Sequence, residues 1–335
     1  MRTAVRLANR VTMAKSRTTK LSLNAVYTQA GMRRRYEVWF MRLGLADGSG
    51  AWWFRYLLMN LARGGCPGDP RGMPVQVWAT WFPRDGAPQT FIRGFSTEKL
   101  SISARGASPF RFTHGENRVG EDSCSGQLSV DGHYLRWDLR YRSTFALTLG
   151  DRGWLGFSRT PHSDAIFSGE IVFDGRVFRG ETLGYGLQGH NSGYRHRKMW
   201  NWTHAIFPDA NGAGLPSFEA FEYEMPLGRR TRNAVLWTAG EQFAFTKFDN
   251  VQRDAENLRW SFDCANRKNG ARIVVAVDGT GSSVHRLPYL KTDCSGTFEV
   301  ANNSLAHTKL TFSRPGRADV DLETDNGAVL EMVGG

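Results

Sequence analysis

Residues 184–204 read GYGLQGHNSGYRHRKMWNWTH and hold three of the chain's eight histidines, two tryptophans, two tyrosines and four glycines. Such a stretch suits a metal site, an acid–base site, or an aromatic wall whose histidines bond backbone groups. His190, His196 and His204 lie six and eight residues apart, unlike the short spacings of zinc helices and fingers. No carboxylate falls between Glu181 and Asp209, so no metal is expected. In MWNWTHAIF a period of two places Trp200, Trp202, His204 and Ile206 on one strand face. A histidine beside indoles is partly desolvated, which disfavours its charged form. It can deliver a proton to an alkene or polarise a carbonyl, and indole faces attract a developing cation. The alternative is that His204 bonds a backbone carbonyl while the indoles are core.

Carboxylates are the second source of proton chemistry. Glu37 sits in the aromatic run YEVWF, where an unpaired buried charge would be costly. It faces solvent, pairs with a base such as Arg55, or stays protonated in a pocket, and hairpin register decides which. In SFEAFEYEM, Glu219, Phe221 and Tyr223 share a face, either as polar surface or as a pocket acid assisted by Tyr223. GYGLQG matches G-x-G-x-x-G, yet aromatic β sequence follows it and no βαβ unit surrounds it, so no nucleotide site is expected. Neither a G-x-S-x-G elbow nor a Cys–His signature supports nucleophilic hydrolysis.

The elements that must position these groups are strands. From Tyr36 onward, short alternating runs rich in aromatic and β-branched residues are separated by Gly, Asp and Asn turns, as in YEVWFMRLGL–ADGSG–AWWFRYLLMNL. Turn signals recur about every ten residues and no long run has helical period, which predicts an all-β chain. About sixteen expected strands exceed one small barrel, and two antiparallel barrels of about eight, side by side, each hold one apolar ligand. The expected units are a basic tail at 1–35, a first barrel at 36–182 and a second at 183–335. The glycines of 184–193 would permit a tight chain crossing between the barrels. SGQLSVDGHYLRWDLRY (125–141) and SGEIVFDGRVFRGETLGY (168–185) echo each other, through duplication or through shared Asp-Gly hairpin turns.

Composition narrows the function classes. The chain has 335 residues, a net charge of +11 and 12% aromatic residues, with 11 Trp and 21 Phe. Nine of the 43 basic residues and none of the 32 acidic ones fall within the first 35, leaving 34 basic against 32 acidic in the body. A nearly neutral body lacks the basic face that nucleic acid needs. The surplus of aromatics suits a lined cavity. No run of eighteen apolar residues could span a bilayer. The tail reads as disordered, with a presequence or a peripheral contact with an anionic membrane as alternatives. Cys66, Cys124, Cys264 and Cys294 are scattered, and without a secretion signal they are expected reduced, in a cytoplasmic protein.

Several stretches carry a resemblance. YEVWF with Glu37, Trp39 and Phe40, and GAWWFRY with Trp53 and Arg55, resemble the opening hairpin of the lipocalin-like superfamily of tocopherol cyclase, carotenoid 1,2-hydratase (hydroxyneurosporene synthase) and AttH-type proteins. GYGLQGHNSGYRHRKMWNWTH resembles its Gly-rich, His-Trp-Gly and Trp-x-Trp segment. PYLKTDCSGTFEVANNSLA and LETDNGAVLEMVG, with Glu331, resemble its closing strands. The resemblance implies tandem lipocalin-like barrels with a pocket in or between them for a lipophilic ligand. It also implies redox-neutral chemistry on isoprenoids or polyketides without a metal or organic cofactor. Here Gly189-His190-Asn191-Ser192-Gly193 lacks the carboxylate and the tryptophan of the family's Asp-His-x-Trp-Gly.

Two functions follow as expectations. One is a cofactor-independent cyclase, hydratase or isomerase, with His190, His204, Glu37 and Tyr223 as catalytic candidates. Trp39, Trp53, Arg55, Tyr194, His196, Trp200 and Trp202 would then line its pocket. The other is a non-catalytic carrier or sensor of a hydrophobic ligand using the same pocket.

Overall fold

The computed structural model describes residues 22–29, 31–208 and 215–334. Nearly every alternating run becomes a strand. The first sheet contains β1 (Tyr36–Leu45), β2 (Gly50–Met59), β3 (Val75–Pro83), β4 (Gln89–Phe95), β5 (Leu100–Ile102), β6 (Phe112–His114), β7 (Asn117–Val119), β8 (Ser123–Val130), β9 (His133–Arg142), β10 (Leu147–Asp151), β11 (Gly156–Phe173) and β12 (Arg176–Gly193). The second contains β13 (Trp200–Ile206), β14 (Ser217–Glu224), β15 (Arg230–Thr238), β16 (Glu241–Phe245), β17 (Lys247–Asp254), β18 (Arg259–Ala265), β19 (Arg272–Asp278), β20 (His285–Leu290), β21 (Thr297–Ser313) and β22 (Val320–Val333). Both are antiparallel and wound alike: four meandering strands, with the first also paired to the last strand of its own sheet, β1 to β12 and β13 to β22. The expected all-β tandem architecture is therefore present.

The duplicated feature is this winding. The two echoing segments are the hairpins β8–β9 and β11–β12, whose turns place Asp131 and Asp174 at φ 51° and 48° and their following glycines at 82° and 83°. Asp-Gly is the pair that tolerates two consecutive positive φ values. Each sheet curls around its own core. Strand β4 approaches β8, where Arg93 Nη1 donates to the Ser129 carbonyl at 3.3 Å, although no ladder joins the end strands β4 and β5.

The alternation of β1 and β2 produces two apolar surfaces. Trp39, Met41, Trp52 and Phe54 point inward, where they join Trp137 and Phe112 in a filled core. Each such aromatic removes about 150–250 Å² from water. Val38, Phe40, Trp53 and Leu57 point outward and meet Leu290 and Val329 of the second sheet. The cavity expected inside a barrel is thus occupied by side chains, and the room for a guest lies between the sheets.

Four expectations need correction. The break expected at 182/183 falls within β12, and the chain passes between the sheets at 194–199. The glycines of 184–193 do not serve a crossing between barrels: a Cβ on Gly186 would lie 1.7 Å from the Arg42 carbonyl oxygen, so they let β12 press against β1. Residues 1–21 of the basic tail lie outside the described residues, but 22–29 are seated against the first sheet, and Arg35 donates to Trp154 O (2.7 Å) and Ser192 Oγ (2.8 Å). Cys66 and Cys294, 228 residues apart, form a disulfide between the loops after β2 and β20, while Cys124 and Cys264 are free and buried. Linear spacing hid that pairing because the fold alone brings the two loops together. Among the described residues no helix is long and apolar enough to cross a membrane.

Candidate functional site

Strand parity sorts the expected site residues into two places. Glu37 and Trp39 share the inward face of β1, and Trp39 pairs with His190 of β12. His190 Nε2 lies 2.9 Å from Glu37 Oε1 and its Nδ1 lies 2.7 Å from the Leu23 carbonyl. Both ring nitrogens thus have hydrogen-bond partners. The ring is stacked 4.7 Å from Trp39 and meets the edge of Phe157 at 4.8 Å. Burial alone would push the Glu37 carboxyl up. The bond from His190 and the amides of Thr28 (2.6 Å) and Tyr27 (2.8 Å) outweigh it and hold the group below its usual range.

This pair secures the segment 22–29 across the end of the first sheet, where Asn24 also exchanges side-chain bonds with Gln188 at 3.1 and 2.8 Å. Glu37, His190 and Trp39 therefore do not line a ligand cavity, contrary to expectation. Nor does Glu37 pair with Arg55. Arg55 stands opposite Phe40 in the β1–β2 ladder and takes the outward face, while Glu37 stands opposite Leu58.

His204 is also corrected. It shares the face of Trp200 and Trp202 as the period predicts, but it is fully buried where the sheets touch and donates from Nε2 to the Ser163 carbonyl at 2.7 Å. Burial drives its pKa down to about 3, so the ring is neutral. Beside it, Glu219 accepts from Trp202 Nε1 and Thr160 Oγ1, both at 2.8 Å. Burial outweighs those bonds and raises the carboxyl to about 7. Tyr194 is 37% exposed at the surface, beneath the Arg34 guanidinium at 4.7 Å, and is not a cavity residue.

The remaining candidates converge. A cleft of about 220 Å³ between the sheets is walled by Trp53 and Arg55 of β2, by Trp200, Trp202 and Tyr223 of the second sheet, and by His196 of the connecting segment. Phe40 meets Trp202 edge-on at 5.9 Å, Trp53 lies 6.1 Å from Trp202, and Tyr36 stacks on His196 at 4.2 Å. Glu331 of β22 completes the wall and accepts from Trp200 Nε1 at 2.8 Å through Oε1.

Several polar atoms on this wall have no partner. Arg55 Nε, His196 Nδ1, Glu331 Oε2, Trp53 Nε1 and Asn191 Oδ1 are buried without a hydrogen-bond partner. Unpaired buried polar atoms are costly, and five of them face this one cavity. Burial lowers Arg55 to about 10, still charged at neutral pH. Burial, aided by repulsion from Arg55, lowers His196 to about 3, so its ring is neutral. Burial raises the Glu331 carboxyl against the opposing pull of Arg55, Trp200 and the neighbouring Asn302 amide.

The three histidines of 184–204 thus occupy three separate environments. Among the described residues no group of three or more His, Cys, Asp or Glu is placed to hold a metal ion. Glu331, Tyr36 and Phe40 were missing from the expected site. The parity of β1 would have placed Tyr36 and Phe40 opposite Glu37, whereas nothing local brings Trp78 and Tyr289 to Arg55.

No protein-family model and no curated protein sequence matches the chain. Solved structures do. The crystal structure of CghA with Sch210972 matches at a TM-score of 0.60 and 12% identity, over 92% of this chain and 93% of that one. A candidate AttH from Nitrosomonas europaea matches at 0.52 and 12% identity, over 97% and 98%. Kievitone hydratase from Nectria haematococca matches at 0.52 and 10% identity, over 93% and 94%. This chain shares the fold of all three over nearly its whole length.

Proposed function

We propose that the cleft binds a lipophilic small molecule of isoprenoid or polyketide type, and that its wall catalyses a redox-neutral proton transfer: a cyclisation, hydration or isomerisation. The observation that carries this reading is the set of unpartnered polar atoms on an aromatic cavity, headed by Glu331 Oε2. Trp200 holds Oε1, while Oε2 has no hydrogen-bond partner. Glu331, whose carboxyl burial pushes above its usual range, gives a proton from Oε2 to an alkene carbon or carbonyl oxygen. It takes one back as the new bond forms, so no electrons leave the ligand. Arg55 polarises an oxygen of the same molecule, while Trp53, Trp200, Trp202, Tyr223 and the neutral ring of His196 shape the cavity. Hydration, the reaction in the name of kievitone hydratase, falls within this set.

A carrier is the second reading. It is favoured by the use of Glu37, His190 and His204 in structural bonds away from the cleft. One experiment separates the two. Organic extracts of purified wild type and Glu331→Gln are compared by mass spectrometry. In a catalyst the variant retains a compound that is an isomer of the wild-type guest or differs from it by one water. Turnover of that compound by wild type should exceed the variant's by about 100-fold or more. The same unchanged compound in both proteins would leave only the carrier.

A further inference from the structure

Arg55 places a positive charge in the cleft for which the protein provides no direct counter-charge. Its guanidinium carbon lies 5.4 Å from the ring centres of Trp53 and Trp78 and 4.6 Å from that of Tyr289. It donates to the Tyr289 hydroxyl, while Nε has no partner. Among the described residues no carboxylate lies within ion-pair distance, 4.0 Å, of Arg55. Glu331 faces the same cavity and acts on Arg55 through charge, but from beyond ion-pair distance, so the guanidinium has no carboxylate in contact. Glu222, the other acid on the wall, is held by Arg230 (3.2 Å) and Arg232 (2.8 Å). Four further arginines, Arg71, Arg152, Arg195 and Arg197, also line the cleft.

We infer that the guest is an organic anion: an apolar body with a carboxylate or an acidic enol whose oxygen seats on the Arg55 guanidinium. This rests on the reading of the cleft as a binding site. A guanidinium is weakly hydrated and presents a planar fork of donors matched to such oxygens. Burying it without a counter-charge is unfavourable, and an anionic guest removes that cost while the indoles hold its apolar part. A neutral lipid of the same shape would leave the charge unmatched. The rim arginines draw the anion toward the opening.

The test uses the full-length protein loaded with N-phenyl-1-naphthylamine, an uncharged fluorophore that brightens in apolar cavities. The probe is displaced by decanoate or by 1-decanol. Decanoate should displace it from wild type at a concentration at least about tenfold lower than decanol. In Arg55→Met that gap should shrink to about twofold or less while the probe still binds. Equal displacement by both compounds in wild type overturns the inference and leaves the cleft reading intact. So does a gap that survives in Arg55→Met, because the preference would then belong to surface arginines. Failure of the probe and of both chains to bind wild type overturns the cleft reading itself. Should Arg55→Met not fold, Arg55→Gln, which keeps a polar side chain without the charge, is read by the same gap.

Discussion

Glu219 shows how a side chain beside the cleft serves the fold and makes it sensitive to pH. Its carboxyl is raised from the usual 4.5 to about 7 because burial disfavours the charged form. An acid raised in this way stabilises the folded state fully below pH 4.5, and that contribution disappears as pH rises through 7. Glu219→Gln keeps an acceptor for Trp202 and cannot ionise. Relative to wild type it should therefore gain stability between pH 5 and pH 8, measured by urea unfolding at each pH. A difference independent of pH would show that the carboxyl is not displaced. Glu37 is the opposite case: the same burial is outweighed by an imidazole and two amides, so its charged form is favoured. The two acids share low exposure and differ only in their partners.

At the scale of the element, β1 and β12 decide most of the architecture. β1 has both faces apolar because each faces a different layer, its own core on one side and the second sheet on the other. Its alternation was legible in YEVWF, but which parity faced the cleft was not, since a one-residue shift exchanges the faces. β12 lies close enough to β1 that Gly184 and Gly186 have no room for a Cβ, the nearest atoms being the Gly44 and Arg42 carbonyl oxygens at 2.2 and 1.7 Å. Gly186→Ala should force this ladder apart and cost roughly 3 kcal/mol or more, seen as a large fall in Tm. Gly115→Ala, with nothing within 4 Å but a φ of +60°, should cost less. Equal losses would mean that β12 yields at Gly186 and that close approach is not limiting there.

At the scale of the molecule, the cleft exists only because two separately filled sheets are held face to face. Arg42, Phe40 and His204 cross that boundary, and Cys66–Cys294 joins it covalently. Closing a loop of 228 residues restricts the unfolded chain strongly, so reduction should remove about 5.5 kcal/mol in the chain-entropy account. Thiol titration in denaturant should find two reactive groups without reductant, Cys124 and Cys264, and four after reduction. Four before reduction would show that the bridge is absent.

Periodicity and turn spacing determined that the chain is all-β and that it forms more than one sheet. Each of these depends on neighbours within a strand or a turn, which lie close in sequence. Only the tertiary structure decided that the interior of each sheet is full, that Glu37, His190 and His204 hold the fold, and that Glu331 faces Arg55 across a cleft. Those residues come from opposite ends of the chain, and strand order and register, which no local pattern encodes, bring them to one wall.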